Sequence, residues 1–460
     1  MKTESAAYRN IIIYATLATF GGFLFGYNTG VMNGAIDLIR LPQEFNLSPV
    51  TEGLVTSSLT FSAAFGALIS GNLSDLYGRR KVLFLLSLLF LLGSVLCSIS
   101  MNTSFMIFSR LILGLAVGGA SVIVPTYLAE ISTPTNRGKI VTRNELMLVI
   151  GQFTAFLINA ILGIIFHDYT GIWRYMLGIS IIPAIVLFIG TFIIPESPRW
   201  LYMNNFSEKS MKSLKRIRLN DEAEKEMNTI DISLKREREL PKARLSDFKI
   251  PHIRKILLVG IGIGISAQLI GINIMMYYGT TILKNSGFSS NAALIANIAN
   301  GIISVISVAI GIKLMNIVKR RSLILTGIFG TTICLFLIYL SQLFLTSVSF
   351  LPFITLSLTV LFIGFFQAGV APVTWLLLSE IFPQRIRGLG MGIATFFLWM
   401  ANCFVALIFP ILLSLVGLAN TFLIFGIFNV LCFAFTFIYV PETKDKSLEE
   451  IELDFKFNKA

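Results

Sequence analysis

The chain has 460 residues, enough for about three soluble domains at the usual size. Its composition excludes them: 55% of residues are hydrophobic and 13% charged, with a mean hydropathy of +0.79, against roughly 45–50% and about 25% in soluble proteins. The formal charge of +12 marks a nucleic-acid binder only if the basic residues share a soluble face. Disorder, collagen and coiled coil fail on the same figures. Cys97, Cys334, Cys403 and Cys432 each lie in an apolar run without CxxC spacing, where cysteine behaves as a small hydrophobe. His167 and His252 are too few and too scattered for a metal site, and no cofactor motif stands out.

Twelve apolar runs are each long enough to cross a bilayer core: 10–33, 53–70, 82–100, 105–128, 141–165, 174–194, 255–280, 292–314, 322–344, 351–378, 389–414 and 418–440. The first carries no small-residue cleavage site and is followed by more membrane, so it reads as a span rather than a removable signal. Runs one, four, seven, ten and eleven are interrupted by Gly, Asn, Gln or Pro and are expected to face a polar interior. Runs three, six, nine and twelve are nearly pure Leu/Ile/Phe/Val and are expected to face lipid. The expectation is an all-α membrane protein of twelve helices in two six-helix bundles, 1–195 and 253–440. A polar loop over 196–252, with short amphipathic helices near Ser207–Leu219 and Glu222–Arg238, joins the bundles, and 441–460 forms a tail.

With both termini on one side of the membrane, all but five of the lysines and arginines fall on that side. Arg40, Arg174 and Lys284 lie opposite, and Arg110 and Lys313 lie within or at the edge of spans. Such a bias places the termini in the cytoplasm by the positive-inside rule. The basic excess is then an orientation signal and not a nucleic-acid surface.

The two halves repeat. Glu130-Ile-Ser-Thr-Pro-Thr-Asn-Arg137-Gly138 recurs as Glu380-Ile-Phe-Pro-Gln-Arg-Ile-Arg387-Gly388, Pro195-Glu196 as Pro441-Glu442, and Arg79-Arg80 as Arg320-Arg321. Paired six-helix repeats around a cavity are the plan of an alternating-access transporter. The charged residues at the matching helix ends, Asp75, Arg79, Arg80, Glu130, Arg137, Glu196, Arg199, Glu380, Arg387 and Glu442, read as a cytoplasmic gate. Asp75 is expected to pair across to a cationic end of the other half, so that such pairs hold the halves together when the cavity opens outward.

These residues sit in GNLSDLYGRRK (71–81), RLILGLAVGGASVIVPTYLAEISTPTNRG (110–138), PESPRW (195–200), QLIGIN (268–273), WLLLSEIFPQRIRG (375–388) and PETK (441–444). Over nearly its whole length the chain resembles the sugar porter family of the major facilitator superfamily. VTRNELMLVIGQ (141–152) and ANIANG (296–301) look most like its bacterial inositol and sugar transporters. The resemblance implies the major facilitator fold, a multi-pass place in the plasma (cell inner) membrane, and a small sugar or polyol as partner. It also implies substrate contacts at Gln152, Gln268, Asn273, Asn300 and Trp375, with Tyr277, Trp399 and Asn402 as second contacts. The chemistry agrees. Uncharged amides both donate to and accept from hydroxyls, and an aromatic face covers the C–H side of a sugar.

Gly114-xxx-Gly118 permits close helix packing, while Gly271 and Gly369–Pro372 supply bending points in runs seven and ten, the gating segments of relatives.

The pattern breaks at Asn28, where proton-coupled members of the family carry aspartate. An amide cannot take up and release a proton near neutral pH, which argues for uniport. Arg110, at the family's partner position, then needs another acceptor, and the Asn28 carbonyl oxygen is one candidate. Glu145 stands where many sugar porters have glutamine. It reads either as a replacement proton site, making the protein a proton symporter, or as an ion pair near Arg143. Ala267 and Leu398 replace polar residues common in relatives, which makes a glucose-type substrate less secure. Two other classes remain. A non-transporting nutrient sensor usually has longer tails. A membrane enzyme needs a motif such as HExxH or GxSxG, which is absent.

Overall fold

The computed structural model describes residues 2–133, 136–239, 244–446 and 448–456. Pro134 and Thr135, inside the repeated motif, and residues 457–460 of the tail lie outside the described residues. Among the described residues every regular element is helical.

The first crossing joins α1 (Lys2–Gly30) to the short α2 (Met32–Ile39). The second, α3 (Pro49–Tyr77), starts where the Ser48 hydroxyl accepts from the Thr51 N–H at 3.3 Å and Pro49 opens the first turn, a favoured helix start. Gly78, at φ 98°, turns the chain directly into α4 (Arg79–Ser98). The Asn102 side chain then caps α5 (Thr103–Ile131) by accepting from the Phe105 N–H at 2.9 Å. After α6 (Arg137–Ile165), the sixth crossing is a 3-10 turn (Thr170–Ile172) followed by α7 (Trp173–Gly178) and α8 (Ile181–Ile193).

The polar loop folds as α9 (Pro198–Met203), α10 (Ser207–Ile217), α11 (Asn220–Glu239) and a 3-10 turn (Leu245–Lys249). The two helices expected there are present. The loop docks on both halves. Arg218, on the loop, donates to the Ile131 carbonyl of α5 and pairs with Glu226, whereas Asp247 pairs with Arg385 at 2.7 Å.

The second half starts with α12 (Pro251–Leu269) and α13 (Ile272–Asn285), which form one crossing broken at Gly271. Gly271 has φ 96°, a conformation that glycine adopts without a Cβ clash. α14 (Ser290–Ile317) and α15 (Arg320–Phe344) follow. The tenth crossing is α16 (Leu351–Phe365), a π-helical turn (Phe366–Val370) and α17 (Ala371–Glu380). α18 (Arg387–Tyr439) contains 53 helical residues, about 80 Å of helix where the bilayer core is about 30 Å. It turns at Gly417 (φ 76°, ψ 175°) and crosses twice, at the boundary expected between runs eleven and twelve. α19 (Leu448–Lys456) packs on α12, with His252 3.4 Å from Glu452.

Apolar exposure follows the sequence expectation only in part, since α16 of the tenth crossing, expected to face a polar interior, also exposes Phe353, Leu361 and Phe365. α4, α8, α15 and the second crossing of α18 present exposed Leu92, Phe192, Phe329 and Leu431. α14 adds a stripe at Ile302, Ile306 and Ile310, one helical turn apart. α5 lies close against α3 at Gly114 and Gly118. A Cβ at Gly118 would stand 1.9 Å from the Ala63 carbonyl oxygen, so backbone contact, not side-chain packing, sets that distance.

Candidate functional site

At the end that carries the termini, the repeated motifs form the same staple twice. The Glu196 carboxylate accepts from the backbone N–H groups of Arg79 and Arg80 at 2.9 and 3.1 Å. It therefore caps the N-terminus of α4, where the helix dipole favours an anion. Glu442 does the same for α15, accepting from the backbones of Arg320 and Arg321 at 3.0 and 3.1 Å. The Arg79 guanidinium meets Glu130 on α5 at 3.0 Å, and Arg320 meets Glu380 on α17 at 3.6 Å. Arg80 donates to the Thr191 carbonyl at the end of α8, and Arg321 to the Phe437 carbonyl at the end of α18, where a cation suits the carbonyl end. Burial pushes the Glu196 carboxyl above the usual carboxylate range, against the pull of the Ser197, Arg80 and Arg79 N–H groups and the Arg79 charge.

The expected pairing of Asp75 across the halves is not made in this structure. Asp75 pairs with Arg79 of its own half at 3.0 Å, one helical turn along, and not with the other half. The acid–base pairs bind helix ends inside each half. Arg137 is exposed, Arg199 is half-buried on α9, and the Arg387 Nε has no hydrogen-bond partner.

Midway along the crossings, amides and aromatic rings of several helices meet in pairs. Gln152 on α6 is buried; its Nε2 donates to the Thr29 hydroxyl at 3.4 Å, and its Oε1 has no hydrogen-bond partner. Gln268 ends α12 and accepts from Asn273 across the Gly271 break, so the kink brings the two amides together. Tyr277 donates to Asn402 of α18 at 3.2 Å. One turn before Asn402, the Trp399 ring packs against Phe25 of α1 at a tilt of 46°, centroids 5.3 Å apart, and its Nε1 has no hydrogen-bond partner among the described residues. Asn300 donates to Asn297 at 2.9 Å and accepts from Thr359 at 3.5 Å. Gly301, beside it, lies against Phe153 and Phe156 of α6. Trp375, half-buried on α17, makes no hydrogen bond with a described residue.

Buried amides and an indole N–H with unused hydrogen-bonding capacity are costly in an apolar setting. They suit a ligand that both donates and accepts, such as a hydroxylated ring. Among the described residues no group of three or more His, Cys, Asp or Glu could hold a metal ion.

The coupling residues depart from expectation. The Asn28 amide donates back to the Leu24 carbonyl of its own helix at 2.9 Å. Arg110, 1% exposed, reaches the Thr56 carbonyl of α3 at 3.4 Å, while its Nε and Nη1 have no hydrogen-bond partner. The proposed Arg110–Asn28 contact is therefore replaced by one to α3. Glu145, half-buried two helical turns from Gln152, forms neither a hydrogen bond nor an ion pair with a described residue, so the ion pair with Arg143 is not formed.

Two features escaped the sequence reading. Gln367 is a buried amide within the π turn of the tenth crossing, a deformation frequent at functional sites. The warning was the glycine and proline that follow it. The other is a set of bonds joining the halves at the end away from the termini, where Asn33 and Asp37 of α2 meet α13.

The family model described as "Sugar (and other) transporter" matches residues 14–455. The major myo-inositol transporter IolT of Bacillus subtilis (strain 168) is 49% identical over 448 residues, covering 97% of this chain and 94% of that protein. The partially occluded inward open conformation of the xylose transporter XylE from E. coli superimposes with a TM-score of 0.83 at 27% identity, covering 96% of this chain and 100% of that one. The proton:xylose symporter XylE bound to 6-bromo-6-deoxy-D-glucose gives 0.79 at 29% identity, covering 97% and 99%.

Proposed function

Because the chain belongs to the sugar (and other) transporter family, we propose that it carries a monosaccharide or cyclic polyol, myo-inositol first among them, across the plasma membrane by alternating access. Membership makes it a transporter and not an enzyme. The observation that carries the substrate class is the set of uncharged groups at mid-membrane, where Gln152 Oε1 and Trp399 Nε1 have no hydrogen-bond partner among the described residues. A polyol ring offers hydroxyls to such groups without adding charge to the membrane interior. The 49% identity to a myo-inositol transporter over nearly the full length supports the same class.

We read the termini as cytoplasmic from the basic residues on their side. In that orientation the halves meet at the outer end, through Asn33 and Asp37 against α13, which supports an inward-facing state. The match to a partially occluded inward open relative, with a TM-score of 0.83, points the same way.

Asn28 favours uniport, since an amide does not change its protonation state near neutral pH. Glu145 favours a second reading, proton symport, because its carboxylate is half-buried in a spanning helix with no cation bound to it. The two separate in one experiment. Uptake of the radiolabelled substrate into energised membrane vesicles should persist when an uncoupler collapses the proton gradient. Loss of accumulation would transfer the coupling role to Glu145, and Glu145→Gln would then abolish proton-driven uptake.

A further inference from the structure

We propose that α10 carries a docking surface for the anionic phospholipid headgroups of the cytoplasmic leaflet. The helix has two faces. Ser210, Ser213, Leu214 and Ile217, spaced three and four apart, are buried. Lys209, Lys212, Lys215 and Arg216 are exposed, and Glu208 is the one acid of the helix. None of these four cations forms an ion pair with a described residue, whereas on α11 Lys235 pairs with Asp231 at 2.7 Å.

Three bonds set the depth of that helix. Asn10, where the first apolar run begins, donates its amide to the Arg216 carbonyl at 3.0 Å. Ser213 donates to the Glu196 carbonyl at 2.6 Å, just past the end of α8. Arg218, which follows α10, donates to the Ile131 carbonyl at the end of α5 at 3.0 Å. The carboxyl end of α10 is therefore fixed level with the ends of the first, fourth and sixth crossings, at the bilayer surface. Arg9, exposed beside Asn10, adds a fifth cation. Phe206, which precedes α10, is 46% exposed, with the Lys209 ammonium 4.9 Å over its ring. An aromatic ring beside lysines suits headgroup level.

Orientation of the crossings does not by itself call for this cluster. Along the chain the cations follow α8 by about twenty residues, the limit of the range over which basic residues orient a span. The fold brings them back to the surface. A cytoplasmic leaflet is negatively charged and attracts basic segments held within a Debye length of it. A phosphodiester headgroup accepts hydrogen bonds and supplies the charge that the neighbouring protein does not. A lipid bound there also holds α10 against the first crossing, which carries Thr29, the hydrogen-bond partner of Gln152.

The test is thermal melting of the full chain in detergent, titrated with phosphatidylglycerol, with phosphatidylcholine and inorganic phosphate as separate arms. Phosphatidylglycerol should raise the melting temperature, and neither of the others should match it. Raising the salt from about 0.05 to about 0.5 M should weaken the effect by screening. The variant Lys209→Gln/Lys212→Gln/Lys215→Gln/Arg216→Gln should need about tenfold or more phosphatidylglycerol for half-maximal stabilisation. Lys313→Gln/Lys319→Gln, which removes exposed cations near the end of α14 on the same side of the membrane, should titrate like the unaltered protein. The pair Lys209→Gln/Lys212→Gln should give a smaller shift and serves if the fourfold variant does not fold. An unshifted titration in folded α10 variants, an equal shift in the α14 control, or an equal effect of inorganic phosphate would overturn the lipid surface. None of these readouts depends on which substrate is carried, so they leave the transport reading to its own test.

Discussion

Gln152→Ala should lower kcat/KM for uptake by roughly 5- to 150-fold without a matching loss of thermal stability. The expectation comes from what Gln152 leaves unused. Its one hydrogen bond is long, 3.4 Å to Thr29, and its Oε1 is buried without a partner. Removing it from a purely structural setting deletes a weak contact. Removing it from a ligand site leaves a buried substrate hydroxyl unpaired, which costs about 1–3 kcal/mol, a decade in rate for each 1.4. Transport per folded molecule separates the two. If the melting temperature falls and uptake per folded molecule holds, Gln152 is an interhelical bond and nothing more.

The largest stability effect should come from Glu130→Ala. Arg79 Nε donates to both Glu130 oxygens at 3.2 and 3.0 Å, its Nη2 adds a third bond at 3.0 Å, and the side chains are 9% and 11% exposed. Truncating one member of such a pair leaves a buried charge and costs about 3–5 kcal/mol. Asp75 remains on Arg79 but is 64% exposed, so its charge is largely screened. The repeat supplies an internal control. Arg320 and Glu380 stand 3.6 Å apart at 17% and 25% exposure, and more open pairs are worth about 0–1 kcal/mol. Glu130→Ala should therefore lower the melting temperature in detergent clearly more than Glu380→Ala. Equal losses would mean that the matching motifs do equal structural work despite their different geometry.

The crossings were legible because bilayer thickness writes itself into run length, and even the Gly417 turn falls where apolar run eleven ends. The repeated charged motifs were legible as motifs, but not the helix ends that they join within each half. Sequence spacing cannot say which helix ends meet. The staple of Glu196 on the α4 N-terminus and Arg80 on the α8 C-terminus joins residues more than a hundred positions apart. Asn28 and Arg110 failed for a related reason. The Asn28 donor finds a carbonyl four residues back on its own helix, a local bond open to any helical asparagine, so family spacing did not predict the contact. Asn33 was passed over entirely. A single asparagine in an apolar run gives no hint that its side chain bonds to a helix some 240 residues away.

The most direct measurement is counterflow in proteoliposomes loaded with unlabelled myo-inositol, glucose, xylose, fructose or galactose, each tested against its own tracer, with no ion gradient imposed. A carrier built on an uncharged amide and indole cluster should show transient tracer accumulation for at least one of these rings, myo-inositol foremost, and Gln152→Ala should suppress it. Tracer movement indistinguishable from protein-free liposomes for every ring, by protein that is folded and inserted, would contradict the account.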